Sequence, residues 1–235
     1  TGSANAINQV TEKDTDALMK RTARRPIASG RMSPSEGWAF SIIAGLAGVL
    51  ILWYFFNTLS AGLALFSLFL YAFIYTPLKK ISSISVLVGA IPGALPCLIG
   101  WAAGNDELGT GAWILFAIQF FWQFPHFWAI AWIAHKDYSN AGFKLLPSVQ
   151  GPTKYSAIQS IIYSLFLIPV GVLPYATGMS GFGSLIIVTI ANILMVVQSV
   201  RLYREMEVKA ARRVMFSSYI YLPVVLLALL AFKIK

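Results

Sequence analysis

The side chains best suited to chemistry lie near the start of the chain, where oxygen-bearing residues recur at a helical interval. Asn8, Glu12 and Asp16 are spaced four residues apart, so in a helix they lie along one face over about two turns. Such a row of oxygens suits a hard cation such as Mg²⁺. A basic cluster follows, composed of Lys20, Arg21, Arg24 and Arg25. Because Arg and Lys beside a cation suit phosphate oxygens, this stretch predicts a site for a Mg²⁺-bridged diphosphate.

A second polar group lies within an apolar stretch, in the sequence Trp122-Gln123-Phe124-Pro125-His126. Polar side chains inside a membrane helix are costly, and they usually face the interior of the helix bundle. Two interpretations stay open for Gln123 and His126: a hydrogen-bonded pair that fills the kink at Pro125, or groups that contact a substrate. The aromatic rings around them are typical of packing in membrane helices, but they also suit the shielding of a carbocation.

Asp137 provides a second acidic position, and Lys144 follows it in the same polar loop. Asp137 lies eleven residues after His126, which is about three helical turns. If the helix continues that far, both side chains face the same cavity. An apolar cavity beneath a diphosphate site favours a lipid-tailed diphosphate over a soluble nucleotide.

The composition places these residues in an integral membrane protein. Apolar residues make up 57% of the 235 and charged residues 11%, against about a quarter charged in soluble proteins. Continuous apolar runs favour helices over a barrel, so the predicted fold class is all-α. We predict membrane spans at residues 37–58, 61–76, 84–103, 111–135, 155–175, 181–200 and 214–232.

The positive charge indicates orientation in the membrane and not nucleic-acid binding. The net charge is +9, but every Lys and Arg except Lys233 and Lys235 lies in alternate connections. By the positive-inside rule these connections are cytoplasmic and the C-terminus lies outside. The expected location is therefore a bacterial inner membrane. For the basic cluster after Asp16, orientation alone is the alternative to phosphate binding.

We treat residues 1–235 as one transmembrane domain. Residues 5–36 are predicted to form the cytoplasmic end of a helix with the loop of the first acidic motif, and residues 136–154 the loop of the second. The chain begins at Thr1 without Met, so we expect a truncated N-terminus with at least one preceding helix. Two prolines and two glycines within 88–96 predict a helix break that neighbouring protein or a cavity must accommodate.

Five segments resemble motifs of the UbiA-type intramembrane prenyltransferases, and within that superfamily those of its haem-farnesylating members. They are Asn8-x-x-x-Glu12-x-x-x-Asp16 with the following Met19 to Gly30, Tyr75 to Lys80, Gly89 to Pro96, Trp122 to Phe127, and Asp137 to Pro147. The first motif alone indicates the superfamily, whereas the last two segments indicate the haem enzymes. The resemblance is strong to about residue 150 and continues beyond it by helix pattern only.

The resemblance implies nine helices around a central cavity, of which this chain carries about seven and the end of another. It implies Mg²⁺-dependent transfer of farnesyl from farnesyl diphosphate to a vinyl group of haem b within membrane lipid, with water adding, to give haem O and diphosphate. Haem A synthase or terminal oxidase assembly factors would act downstream. The resemblance implies that Mg²⁺ is bound by Asn8, Glu12, Asp16 and Asp137. It implies that the diphosphate is bound by Lys20, Arg21, Arg25 and Lys144. It implies that haem is bound by His126, Gln123 and Trp122.

Three residues depart from the family pattern. Glu12 stands where Asp is usual, which keeps the carboxylate but moves it by one methylene. Ala141 stands four residues after Asp137, which leaves a complete second metal site in question, and Lys144 replaces a common Pro. Two other functions stay open: a prenyltransferase for an aromatic quinone precursor, which would not require residues 122–126, and a membrane transporter of haem or lipid, which predicts internal repeats.

Overall fold

The computed structural model describes residues 1–234, which form helices and loops with a single isolated bridge between Ser180 and Lys233. The helices are α1 (Gly2–Thr11), α2 (Lys13–Leu18), α3 (Pro34–Phe55), α4 (Thr58–Phe69), a π-helical turn (Leu70–Tyr75), α5 (Thr76–Ile81), α6 (Ser85–Asn105), α7 (Thr110–Ile133), α8 (His135–Asn140), α9 (Lys154–Ala176), α10 (Phe182–Glu205) and α11 (Val208–Ala231). Seven segments are long and apolar enough to span a membrane, counting α4 through α5 as one. The all-α fold and the seven predicted spans are confirmed.

Side-chain caps fix the start of three spans, at α3, α4 and α9. Ser33 Oγ accepts from the amide of Glu36 (3.2 Å), while Glu36 Oε2 accepts from the amide of Ser33 (2.7 Å). At the start of α4 and α9, the side chains of Asn57 and Thr153 accept from the amides of Ser60 and Ser156. These caps satisfy amides that have no partner within the helix.

The predicted break within residues 88–96 is wrong, because α6 stays helical through Pro92 and Pro96. Pro96 has no amide hydrogen for the carbonyl of Pro92, four residues earlier. Ser67 Oγ donates to that carbonyl instead, at 3.2 Å. A hydroxyl from a neighbouring helix thus satisfies a carbonyl that the surrounding lipid could not.

The chain divides into two compact units: unit 1 contains Thr1–Leu108 with Ala134–Leu145, and unit 2 contains Gly109–Ile133 with the residues from 146 onward. That they form one prenyltransferase domain stays a prediction. In unit 1, α1 packs on α3 and α4 on α6. Small residues allow the first of these contacts, since Ser3 Oγ lies 3.1 Å from Ser41 Oγ and a Cβ at Gly37 would meet Val10 at 2.6 Å.

In unit 2, α9 packs against α7 and α10, and α11 packs against α7 and α10. The core between these helices is aliphatic, with Ile118, Leu167, Val188, Met195 and Val225 almost completely buried. Asn192 lies within it, where its Nδ2 donates to the carbonyl of Leu167 (2.8 Å) and its Oδ1 accepts from Tyr221 Oη (2.7 Å). Asn192 is therefore structural.

Candidate functional site

The predicted row of oxygen ligands is divided between two helices. α1 ends at Thr11 and α2 begins at Lys13, with Glu12 at the junction in a non-helical conformation (φ −107°, ψ 16°). The prediction of one continuous helix over this stretch is wrong. The amide of Glu12 still donates to Asn8 O (2.9 Å) and that of Asp16 to Glu12 O (2.7 Å), so the four-residue spacing is kept across the break. All three side chains are buried, Asp16 completely.

Lys79 supplies the cation that two of these side chains contact. Its Nζ donates to Asn8 Oδ1 at 2.9 Å and lies 2.8 Å from Glu12 Oε1. The second contact is an ion pair without hydrogen-bond geometry, since Glu12 Oε1 is buried and forms no hydrogen bond within residues 1–234. The side chains of Lys79 and Glu12 are 8% and 5% exposed. A buried carboxylate needs such a counter-charge, and the ammonium provides it.

Aromatic rings and a backbone contact fix the position of Lys79. Its Nζ lies 4.8 Å from the ring centre of Tyr75 and 5.7 Å from that of Phe143, distances at which an aromatic face attracts a cation. The amide of Lys144 donates to the carbonyl of Lys79 at 2.8 Å. Tyr75 itself ends the π-helical turn, a feature that is frequent at functional sites. In the sequence, Lys79 belongs to the basic connections and to the family-like segment Tyr75 to Lys80, but it was not among the predicted ligands, so the structure adds it to the candidate site.

Arg25 neutralises the third oxygen-bearing side chain. Its Nη1 donates to Asp16 Oδ1 (3.1 Å) and Oδ2 (2.8 Å), and the two side chains are 31% and 1% exposed respectively. Thr22 Oγ1 donates to the carbonyl of Asp16 at 2.9 Å, which folds the basic loop back over α2. Arg25, predicted to bind phosphate, is thus paired with Asp16, and its partly exposed guanidinium keeps further N–H donors.

The other predicted diphosphate ligands lie nearer to solvent. Arg21 Nη2 donates to Tyr138 Oη at 3.1 Å, and its guanidinium lies 5.8 Å from the centre of that ring. Lys20 and Lys144 are exposed. Neither they nor Asp137 form an ion pair within residues 1–234. These side chains carry charge that the protein itself leaves unneutralised.

Asp137 does not continue the helix that carries His126. α7 ends at Ile133, Ala134 is non-helical (φ −98°, ψ 18°), and Asp137 lies in the first turn of the short α8. The prediction of a continuous helix from His126 to Asp137 is therefore wrong. The shared cavity that we inferred from that helix loses its basis. Asp137 belongs to unit 1 and His126 to unit 2.

The donor set around Asn8 fits a hard cation by its chemistry. It offers an amide oxygen and two carboxylates, and one carboxylate oxygen, Glu12 Oε1, is buried without a hydrogen bond in the described residues. The same residues contain no group of three or more His, Cys, Asp or Glu side chains that could hold a metal ion. A cation here would take oxygens from Asn8 and from its own ligand, as Mg²⁺ does when it arrives with a phosphate.

The predicted haem ligands lie in unit 2. His126 Nδ1 is 2.8 Å from Ser218 Oγ on α11, and its ring stacks on Trp122 with centroids 4.7 Å apart. Trp122 Nε1 donates to the carbonyl of Ser218 at 2.9 Å. Gln123 Nε2 donates to the carbonyl of Gln119 at 3.2 Å. His126 and Trp122 therefore share one partner, Ser218, which the sequence had not indicated.

The seven candidate spans found within residues 1–234 define a multi-pass integral membrane protein, in which two acid–base pairs neutralise Glu12 and Asp16. The model of the UbiA prenyltransferase family matches residues 1–222. The chain belongs to the UbiA prenyltransferase family, and it is a prenyltransferase.

Curated relatives are similar over nearly the whole chain. A protein of Cytophaga hutchinsonii is 47% identical over 234 residues, which cover 100% of this chain and 82% of the relative. One of Flavobacterium psychrophilum is 42% identical and covers 95% and 75%, and a mitochondrial one of Arabidopsis thaliana is 37% identical and covers 99% and 54%. All three are named protoheme IX farnesyltransferase, which confirms the narrower resemblance.

Two solved structures share the fold. A digeranylgeranylglyceryl phosphate synthase superimposes with a TM-score of 0.79 at 21% identity, over 98% of this chain and 80% of that one. A UbiA homologue from Aeropyrum pernix K1 gives a TM-score of 0.68 at 22% identity, over 97% and 82%. At such identities the likeness concerns the fold alone, and the UbiA-type fold is confirmed.

Proposed function

We propose that the protein transfers a farnesyl group from farnesyl diphosphate to a vinyl group of haem b, giving haem O and diphosphate. The observation that carries the proposal is the cluster of Asn8, Glu12 and Asp16, buried and neutralised by Lys79 and Arg25. Such a site is prepared to exchange internal charge pairs for a cation and a polyphosphate. The acceptor is supported by the relatives, which are named for protoheme IX.

The cluster would bind the diphosphate through a division of labour among its residues. Asn8, Glu12 and Asp16 would hold Mg²⁺, which supplies positive charge that stabilises the leaving diphosphate. Lys79, released from Glu12, and Arg25, released from Asp16, would then turn to phosphate oxygens. Charge-assisted hydrogen bonds of this kind are stronger than neutral ones. Their strength increases as the diphosphate gains charge during bond cleavage.

The exposed basic residues would complete the contacts with the diphosphate. Arg21, Lys20 and Lys144 form no ion pair within residues 1–234, so an incoming anion meets no internal competitor there. Asp137, equally unpaired, is proposed as the acidic residue that takes a second metal or a phosphate-bound water. Trp122 and Gln123 are proposed to contact haem together with His126.

The chemistry balances with one molecule of water. The C1–O bond of farnesyl diphosphate breaks and its electron pair leaves on diphosphate. The terminal vinyl carbon of haem b forms a bond to C1, and the cation that results beside the porphyrin ring takes up water and releases a proton. Haem O therefore differs from haem b by one farnesyl group and one hydroxyl group, both added at the former vinyl group.

The diphosphate site is proposed to face the cytoplasm of a bacterial inner membrane. The basic connections support this orientation through the positive-inside rule, under which the C-terminus would lie outside. The product is an intermediate that haem A synthase or a terminal oxidase assembly factor would consume.

The test uses the full-length protein in liposomes with haem b, farnesyl diphosphate and Mg²⁺, run in ¹⁸O-labelled water. Mass spectrometry is expected to show a farnesylated haem that contains one ¹⁸O atom. A parallel reaction offers 4-hydroxybenzoate as acceptor. Prenylated hydroxybenzoate without any farnesylated haem would overturn the proposal in favour of a quinone-precursor enzyme.

The matched control for this assay is a pair of carboxylates on α2. Asp16→Asn removes a buried carboxylate of the cluster, whereas Asp14→Asn removes an exposed one two residues away. Product formation is expected to fall about 100- to 1000-fold in the first variant and to continue in the second. Equal activity of the two would remove Asp16 from the site.

A further inference from the structure

Ser218 forms hydrogen bonds that fix the position of a proton on His126. Its hydroxyl donates to the carbonyl of Met215 at 2.6 Å, and a serine hydroxyl has a single proton to donate. Towards His126 Nδ1, 2.8 Å away, the same oxygen can only accept. Nδ1 must then carry the proton, and in a neutral imidazole Nε2 is left with a free electron pair.

The surroundings of His126 favour the neutral ring. It packs against the rings of Trp122, Phe127 and Tyr219, with centroids 4.7, 5.4 and 5.2 Å away. None of the three carries a charge to balance an imidazolium, and a buried charge without a partner is costly. Ser218 itself is completely buried and His126 is 9% exposed, so water does not compete strongly for Nδ1.

The other histidine of the chain lacks such an arrangement. Both nitrogens of His135 lie 3.4 Å from the hydroxyl of Ser139, a distance at which a hydrogen bond is weak. That contact selects neither tautomer. The two residues form a natural control pair, because each joins one histidine to one serine.

We infer that Ser218 is a positioning residue that holds His126 in the Nδ1–H tautomer and so presents Nε2 as the ligand of the haem iron. The inference rests on the proposed function, because haem b is the acceptor that the function assigns. Histidine ligands of metals typically donate their other N–H to an oxygen of the protein, which fixes the tautomer and strengthens the ligand. Trp122 stacks on the imidazole ring of His126 and donates to the carbonyl of Ser218. It therefore helps to fix the position of His126 relative to Ser218.

The first measurement needs no haem. The full-length protein is labelled with ¹⁵N-histidine and reconstituted in liposomes, and its imidazole nitrogens are assigned with His126→Gln. Nitrogen spectra are expected to show a protonated Nδ1 and a bare Nε2 at His126. Ser218→Ala is expected to shift His126 towards the Nε2–H tautomer, whereas Ser139→Ala leaves it unchanged. A protonated Nε2 in the wild-type protein would overturn the inference whatever the haem assay shows.

The second measurement follows the haem spectrum. Haem b added to the wild-type protein is expected to give a histidine-ligated absorption spectrum, which His126→Ala loses and added imidazole restores. Ser218→Ala is expected to weaken haem binding about 10- to 100-fold, and Ser218→Thr, which keeps the hydroxyl, to restore it. Retained farnesyl diphosphate binding shows that each variant is folded. A ligated spectrum that survives His126→Ala but disappears in His135→Ala would overturn the inference.

Product analysis separates this inference from the proposed function. If the wild-type protein makes farnesylated haem but Ser218→Ala changes neither the tautomer nor the haem spectrum, the function stands and the role of Ser218 falls. If no farnesylated haem forms while haem is ligated through His126, the function falls and the role of Ser218 stands.

Discussion

The polar cluster of unit 1 and the histidine of unit 2 show two ways of burying polar groups in a membrane protein. Around Asn8 and Asp16, charged side chains from different parts of the chain neutralise one another, as in the pairs Lys79–Glu12 and Arg25–Asp16. Around His126, the contacts are neutral, with one serine and several aromatic rings. Ionic pairs can be exchanged for an ionic ligand, whereas a neutral imidazole would suit the iron of the proposed haem acceptor.

This difference predicts that the two regions respond in opposite ways to substitution. Changes in the ionic cluster should alter charge balance, and therefore both stability and diphosphate binding. Changes around His126 should alter haem binding and leave the diphosphate unaffected. The substitutions below test that separation, beginning with the largest expected effect.

Lys79→Met is expected to have the largest effect, because it leaves the buried carboxylate of Glu12 without its counter-charge. Removal of one partner from a buried ion pair costs about 3–5 kcal/mol. The thermal unfolding temperature in detergent should fall accordingly, and turnover should be lost. Lys80→Met is the matched control, since Lys80 is the adjacent residue and is exposed.

A double variant separates stability from catalysis at this pair. Glu12→Gln combined with Lys79→Met removes both charges together, so most of the lost stability should return while turnover remains absent. Recovery of activity in the double variant would show that the pair only supports the fold. Failure to recover stability would show that Asn8 or the aromatic rings, and not Glu12, depend on the ammonium.

Asp16→Asn is expected to reduce turnover by about 100- to 1000-fold, the usual cost of removing one group that stabilises developing charge. Farnesyl diphosphate binding should weaken as well, because Arg25 loses the partner that orients it. The affinity for haem should stay unchanged. Turnover and both affinities are measured beside Asp14→Asn, and a loss of haem affinity equal to that of diphosphate would contradict the separation of the two regions.

His126→Ala is expected to give the converse result, with haem affinity reduced about tenfold or more, equivalent to at least 1.4 kcal/mol, and farnesyl diphosphate affinity unchanged. Titration of haem absorbance and equilibrium binding of labelled farnesyl diphosphate measure the two. His135→Ala, on the short α8, serves as control and should change neither. Weakened diphosphate binding in His126→Ala would mean that the variant disturbs the fold of unit 2.

The sequence predicted the fold well, because membrane spans follow from composition and length alone. The seven predicted spans correspond to seven helical segments whose ends differ from the prediction by a few residues. The first span, for example, begins at Pro34 and not at residue 37. The motif at Asn8 was located correctly, but its helix is interrupted at Glu12. The predicted break at 88–96 is absent, and Ser67 from another helix donates to the carbonyl of Pro92 in place of the missing amide hydrogen of Pro96. Such compensation depends on tertiary packing.

The sequence alone could not assign Lys79 and Ser218 to the candidate sites. Lys79 and Lys80 are adjacent, and the one that points inward depends on the phase of α5. The π-helical turn at Leu70–Tyr75 shifts that phase, because a π turn takes more residues than an α turn. Ser218 is separated from His126 by 92 residues, and a serine on a membrane helix carries no local sign of its partner. Long-range contacts of this kind are visible only in the structure.

Gly89→Ala tests the smallest effect, the packing that holds the aromatic side of the ionic cluster. A Cβ at Gly89 would lie 2.6 Å from ring carbons of Tyr75, whose ring faces Lys79 Nζ at 4.8 Å. Overpacking of this kind costs about 1–3 kcal/mol. We therefore expect a lower unfolding temperature and a raised KM for farnesyl diphosphate, with haem affinity unchanged.

The control for Gly89 lies on the same helix. A Cβ at Gly100 meets nothing within 4 Å, so Gly100→Ala should be neutral or stabilise the protein by about 0.5–1 kcal/mol through the higher helix propensity of alanine. Both variants add the same methyl group to α6, and their difference therefore measures the contact with Tyr75. Equal unfolding temperatures and equal KM values would show that the Tyr75 ring can move without cost. The position of Lys79 would then depend on its ionic contacts alone, and the aromatic rings would not be part of what distinguishes the charged cluster from the neutral one.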